Sequence, residues 1–215
     1  MKTATLPRLA SRPLRVDAAR NRGLVVKAAY EVFAERGLDA RVEEVATRAG
    51  VGKATVYRNF ETKEQLIAAV ACAQLSWFEQ LAEEAARSPD AWAAFTRLMD
   101  RAAEAQASNR AVAGSLDARN ETTEIREARA AAAAALDRLM ERAKRQGAMR
   151  SDATSRDVWV LFGGVGKALT DSEQGDPAVW RRYACLIAEG LRAPGRPVPG
   201  PPSAVVEVGV DGEEI

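Results

Sequence analysis

Between its two ends, the apolar residues of this chain recur mostly three and four positions apart, and no stretch shows sustained alternation of period two. Apolar residues at that spacing share one face of a helix, whereas a half-buried strand needs every second residue apolar. The body is therefore expected to be all-α. With 215 residues, it can hold one large domain or two small ones, on a prior of about 150 residues per domain.

The punctuation places the helices. Leu24, Val25, Ala28, Ala29, Val32 and Phe33 form one face of a first helix, which Gly37 ends as a C-terminal glycine does. Val42, Val45, Ala46 and Ala49 mark the inner side of a short second helix that stops at Gly50, Val51 and Gly52. A third short helix spans about Lys53 to Phe60, and Thr62 with Gln65 reads as a capping box opening a fourth. Start signals recur at Ser88-Pro89-Asp90, Thr123, Thr154 with Asp157, and Asp176-Pro177. The alanines from Ala130 to Ala135 are strong helix formers, and Leu136, Leu139 and Met140 extend their apolar stripe toward a stop at Gly147.

The two ends differ from the body. Residues 1–16 carry Lys2, Arg8, Arg12 and Arg15 without an acid and read as a flexible basic arm. Residues 193–215 hold Pro194, Pro197, Pro199, Pro201 and Pro202 before an acidic end, and read as a disordered tail. Between them, 17–64 is expected to be one helical domain and 65–192 a second. The longest uncharged run, Gln65 to Phe78, is shorter than the roughly 18 apolar residues of a membrane span. A soluble, cytoplasmic chain with no membrane partner is expected.

Histidine is absent from the sequence, which removes Ser-His-Asp and Cys-His nucleophiles, HExxH zinc helices and any His general base. Cys72 and Cys185 stand far apart without a second pair and read as buried small apolar residues, so neither a metal site nor a cofactor is expected. Glu121, Glu124 and Glu127 are the best candidates for carboxylate catalysis, but they sit at a helix start, where acids complement the dipole in any case. No catalytic residue is assigned. Lys and Arg number 31 against 30 Asp and Glu, so net charge identifies no partner either.

Function is carried by Arg41 to Phe60, RVEEVATRAGVGKATVYRNF. Two short helices joined at a glycine, the second rich in polar side chains, form the pattern of a helix-turn-helix DNA reader. Val45, Ala46, Ala49, Val51 and Val56 would pack the unit, and Gly50 would take the left-handed turn conformation. Lys53, Ala54, Thr55, Arg58 and Asn59 remain outward, where they can meet base edges or phosphates. From Ala18 to Glu64 nine Lys and Arg face seven Asp and Glu, so affinity must come from placement and from doubling in a dimer.

From Arg20 to about Val70 the chain resembles the tetracycline-repressor (TetR) family of bacterial transcription regulators, through AAYEVFAERGLDA, VEEVATRAGVGKATVYRNF and ETKEQLI. The resemblance implies that Lys53 and Thr55 lie in a recognition helix, that Tyr57 and Asn59 hold phosphates, and that Lys63 holds another from the start of the fourth helix. Arg41 stands where the family usually has a threonine; it can contact a phosphate but cannot cap the second helix. Ala54 and Asn59 stand where glycine and histidine are common. These departures bear on operator sequence and affinity. The family plan also implies an N-terminal three-helix helix-turn-helix domain followed by an α-helical ligand-binding and dimerisation domain.

For that second domain the sequence offers two stripes, Val158, Leu161, Phe162, Val165 and Leu169, and Trp180, Tyr183, Ala184, Ile187 and Leu191. Two such helices from each chain would make a four-helix interface, so Val158, Phe162, Val165, Leu169, Trp180, Tyr183, Ile187 and Leu191 are expected at a homodimer seam. Gly163, Gly164 and Gly166 each cost about 1 kcal/mol within a helix relative to alanine; close approach of a partner helix is the preferred explanation, and room for a ligand the other. Trp77, Trp92, Phe95, Met99, Met140, Trp159 and Phe162 are candidate pocket residues for a small apolar or amphipathic effector, with Phe78, Leu116 and Ile125 beside them. The expected function is a repressor released from a palindromic, double-stranded operator by that effector. The alternative is a DNA-bound adaptor whose second domain docks a protein.

Overall fold

The computed structural model describes residues 12–108, 122–171 and 176–195. These form α1 (Arg12–Arg36), α2 (Val42–Ala49), α3 (Lys53–Asn59), α4 (Lys63–Ala85), α5 (Ala91–Ser108), α6 (Thr123–Arg145), α7 (Ser155–Asp171) and α8 (Pro177–Gly190). No strand occurs among the described residues; one isolated bridge joins Met149 to Arg192. The fold is all-α, with an N-terminal helix-turn-helix and a helical C-terminal part. Residues 1–11 of the expected arm and 196–215 of the expected tail lie outside the described residues, as do Leu116 and Glu121. α1 already begins at Arg12, and Pro13 suits the first turn of a helix because its missing N–H would have no partner there.

The helix starts follow local chemistry. The Thr62 hydroxyl accepts from the Gln65 N–H at 3.2 Å, while the Gln65 amide oxygen accepts from Glu61, not from Thr62 as a strict capping box requires. Asp90 caps α5 through the Ala93 N–H, and Asp176 caps α8 through that of Ala178. α6 is capped by Thr122, one residue before the threonine singled out in the sequence. Thr154 and Asp157 exchange both bonds of a true box. Gly37 and Gly147 end their helices at φ 76° and 70°.

Two cores are present. Val25, Ala29, Val32 and Phe33 of α1 pack on Val42, Val45 and Ala46 of α2, Val56 and Phe60 around α3, and Leu66 and Val70 of α4. The second core joins Ala71, Leu75, Phe78 and Ala82 of α4 to the inner faces of α5 to α8. α4 therefore changes cores between Val70 and Ala71. At 1.5 Å per residue this helix is roughly 34 Å long, a rigid bar that links the α1–α3 core to the second core.

The glycines of α7 divide by environment. A Cβ on Gly166 would lie 2.8 Å from the Gln106 Oε1 and 3.7 Å from the Trp180 ring, so close packing accounts for this one. Gly163 and Gly164 are exposed, and a Cβ on either would meet nothing within 4 Å among the described residues. The expectation that both cysteines are buried fails: Cys72 is half-buried, and Cys185 is exposed because it falls on the outer side of α8 beside Leu186.

Candidate nucleic-acid interface

The turn between α2 and α3 rests on Gly50, whose φ of 68° and ψ of 29° lie in the left-handed region. Its N–H turns back toward Thr47, and the Val51 N–H bonds to the Ala46 carbonyl at 3.0 Å. A residue with a Cβ would be strained at Gly50, and the chain could not turn as tightly. Arg41 precedes α2 without a side-chain cap, as its chemistry requires, since a guanidinium has no acceptor. Its backbone N–H donates to the Glu44 carboxylate at 2.9 Å instead.

α3 is held from beneath by Val56 and Phe60, which are almost fully buried. That anchoring leaves Lys53, Ala54, Tyr57 and Arg58 exposed, with Thr55, Asn59 and Lys63 half-buried. The Tyr57 ring is 41% exposed, so it belongs to the surface and not to the core. Arg58 Nη2 donates to the Thr55 hydroxyl at 2.9 Å, which couples two outward side chains. The Asn59 amide donates to the Thr55 carbonyl at 2.8 Å, so this residue spends its N–H on the end of α3. The polar ridge expected from the sequence is thus assembled along one short helix, with Lys63 opening the next.

Several partners of that ridge were not visible in the sequence. Lys53 forms an ion pair with Glu43 of α2 and lies 5.7 Å from the Tyr57 ring centroid. The Lys53 ammonium holds the Glu43 carboxyl below its ordinary range, and Glu43 in turn raises Lys53. Arg48 of α2 clasps Glu35 of α1 with two bonds of 2.9 and 2.7 Å and reaches Glu31 at 3.3 Å. Arg22 of α1 donates to the Asn59 carbonyl at 3.0 Å and stacks 4.3 Å from the Phe60 centroid. These contacts pin both ends of the reading helix to α1 and α2, and no short-range spacing announces them.

The remaining candidates all lie in the second domain. Phe95, Met99, Met140 and Phe162 are buried in the core, Trp159 packs tilted against Phe78 with ring centroids 5.1 Å apart, and Trp92 against Phe95 at 5.7 Å. Of the set, Trp77 lines the cleft between α1 and α4. Val158, Phe162, Leu169, Trp180, Ile187 and Leu191 are likewise buried within the subunit, Val165 is half-buried, and Tyr183 is exposed. The reason is that α7 and α8 are apolar on two sides, and the stripe chosen from the sequence is the inner one. The outer sides expose Val160, Leu161, Tyr183 and Leu186.

A short helix braced on two others, with its polar side proud of the surface, defines a helix-turn-helix reader of duplex DNA. Residues 25–70 match the family described as bacterial regulatory proteins, tetR family, and residues 87–193 match an SbtR-like transcriptional regulator C-terminal domain. The chain is 34% identical to a TetR transcription regulatory protein from Mycobacterium vanbaalenii, covering 84% of this chain and 99% of that one with a TM-score of 0.60. It is 29% identical to a TetR transcriptional regulator from Streptomyces coelicolor, covering 80% and 98%, with a TM-score of 0.64. FadR from Bacillus subtilis, solved in complex with stearoyl-CoA, shares the fold at 19% identity, 79% and 98% coverage and a TM-score of 0.56. No protein of curated function matches the chain. The chain belongs to the TetR family of DNA-binding transcriptional regulators. Among the described residues, no helix is long and apolar enough to cross a membrane.

Proposed function

We propose that this regulator is a homodimeric repressor that places α3 of each subunit in successive major grooves of a pseudo-palindromic operator and leaves it when a small effector binds. The observation that carries this reading is the ridge of α3, where Val56 and Phe60 anchor the helix and Lys53, Ala54, Tyr57 and Arg58 face solvent. Thr55 is the base reader, Tyr57 and Lys63 hold phosphates, and Arg41 adds a contact from the start of α2. Two readers set one helical turn apart, about 34 to 36 Å, would meet the same face of the duplex.

The dimer seam runs over the outer sides of α7 and α8. Val160, Leu161 and Leu186 are between 46% and 59% exposed, a costly arrangement for an isolated subunit. Gly163 and Gly164 lie beside them with open space, which admits a partner helix close to the backbone. Inside the second domain the Gln106 Oε1 and Trp159 Nε1 are buried without a hydrogen-bond partner among the described residues. An acceptor and a donor left unmatched in an apolar surround favour a polar group of an incoming ligand or a bridging water. Release then requires that the effector bind the DNA-incompetent form more tightly.

Selection of bound sequences from a random duplex pool tests the reading. An inverted repeat is expected, together with a dimer in sedimentation. A single half-site bound by a monomer would favour the adaptor, with the outer face of α7 and α8 taking another protein.

A further inference from the structure

α1 and α4 diverge where the two cores meet, and a cleft of about 810 Å3 opens between them. Its apolar walls include Val26, Val70, Ala73 and Trp77, and its charged lining residues among those described are Arg22 and Lys27, with no acid. Glu124 is near enough for the Cys72 thiol in the cleft wall to feel it, but its carboxylate is engaged by its own N–H and the Thr122 hydroxyl. The cleft therefore combines an apolar interior with two cations, and its volume is within the range of small-molecule sites.

Gly23 supports the same conclusion from the backbone. It lies inside the 25-residue α1, where glycine weakens a helix, and a Cβ there would meet nothing within 4 Å among the described residues. Neither a turn nor a close neighbour demands a glycine. What its missing side chain leaves is room in the cleft.

Arg22 connects this space to the reading helix. The guanidinium that lines the cleft also donates to the Asn59 carbonyl at 3.0 Å, at the C-terminal end of α3. An anion makes stronger, charge-assisted bonds to a guanidinium than a neutral carbonyl does, and a carboxylate can take two at once. We propose that the cleft between α1 and α4 binds a small amphipathic anion, its apolar body against Val70 and Trp77 and its charged head on Arg22 and Lys27. Its occupancy draws Arg22 from Asn59 and loosens the end of the DNA reader. The site stands on the cleft alone, whereas the effect on DNA rests on the reading role of α3.

Two dyes that differ by one sulfonate test it on the full chain: anionic 8-anilinonaphthalene-1-sulfonate and uncharged N-phenyl-1-naphthylamine, titrated by fluorescence. Lys27→Ala, a surface change that favours the helix, should weaken the anionic dye about tenfold and leave the neutral one within about twofold. Gly23→Leu should weaken both by about tenfold or more by filling the space. Saturating anionic dye should weaken duplex binding by the parent chain and leave Gly23→Leu unaffected. Equal binding of the anionic dye to the parent and both variants overturns the site. Unchanged duplex affinity with the cleft filled overturns the coupling. The dye titrations need no DNA, so they read the site even if α3 binds none.

Discussion

The Lys53 ammonium rests on the Glu43 carboxylate across the turn from α2 to α3, so a residue of the reading helix is neutralised by its own protein before DNA arrives. Both side chains are about half exposed, and the pair must open or share its proton donors when a phosphate approaches. An acid in that place weakens contact with any duplex, whatever its sequence. Glu43→Gln should therefore raise affinity for random DNA and steepen the salt dependence by about 0.9 in logarithmic slope, one phosphate's worth. The pH dependence has a definite sign. Because Lys53 depresses the Glu43 carboxyl, the pair is present at and above the ordinary Glu range and is lost as pH falls through the lowered value. The variant and parent should differ at neutral pH and converge in acid, as read by binding titrations across salt and pH. A loss of random-DNA affinity in the variant would instead make Glu43 a positioning residue for Lys53.

Thr55 and Tyr57 should separate sequence reading from backbone holding. Thr55→Ala removes the hydroxyl that accepts from Arg58, which in the proposed reading is also the group that meets a base. It should relax discrimination at one position of the site by about 1 to 3 kcal/mol. Tyr57→Ala and Lys63→Ala should weaken operator and random DNA alike and flatten the salt slope. Competition binding on single-base operator variants measures the first, and salt titration the second. Equal loss on operator and random DNA for Thr55→Ala would remove that residue from base reading.

Gly50→Ala should destabilise the chain by about 1 to 2 kcal/mol, the cost of putting a Cβ into left-handed backbone. No atom lies within 4 Å of the added carbon, so the penalty is conformational and not a clash. Urea denaturation followed by circular dichroism reads it directly. Operator affinity should fall with it, because the same turn fixes the angle between α2 and α3.

How much of this could be read from the sequence depended on the range of the interaction. The α2 and α3 block was legible because its spacing, its turn glycine and its polar outward side all lie within twenty neighbouring residues and agree with one another. The Arg22 bond to Asn59 joins residues 37 apart, and neither residue type announces the other. Glu43 and Lys53 are closer, yet their pairing depends on the angle at Gly50, which spacing does not give. In α7, Val158 and Phe162 face the subunit's core while Val160 and Leu161 face out. Both sides are apolar, so periodicity identified a helix without distinguishing its inner side from its outer side. Several of the pocket candidates lie within the core for a related reason. Phe95 and Met99 are large and apolar, and such side chains fill a core unless geometry holds them apart.

The outer side of α7 and α8 yields the sharpest contrast between residues. Phe162→Arg or Ile187→Arg would bury a charge in the subunit's own core and should unfold it, because each side chain is only 8% exposed. Leu161→Arg with Leu186→Arg alters side chains that are 46% and 54% exposed, so the subunit should keep its helical circular dichroism and sediment as a monomer. Gly163→Ala and Gly164→Ala probe the same surface from the opposite direction. With nothing within 4 Å in the subunit, each should stabilise an isolated α7 by about 1 kcal/mol through helix propensity. In a dimer whose partner helix approaches those backbones, the added methyl groups should raise the dissociation constant instead. Melting temperature measured against protein concentration separates the two effects. A gain at low concentration that shrinks or reverses at high concentration identifies this side as the seam, and a gain independent of concentration excludes it.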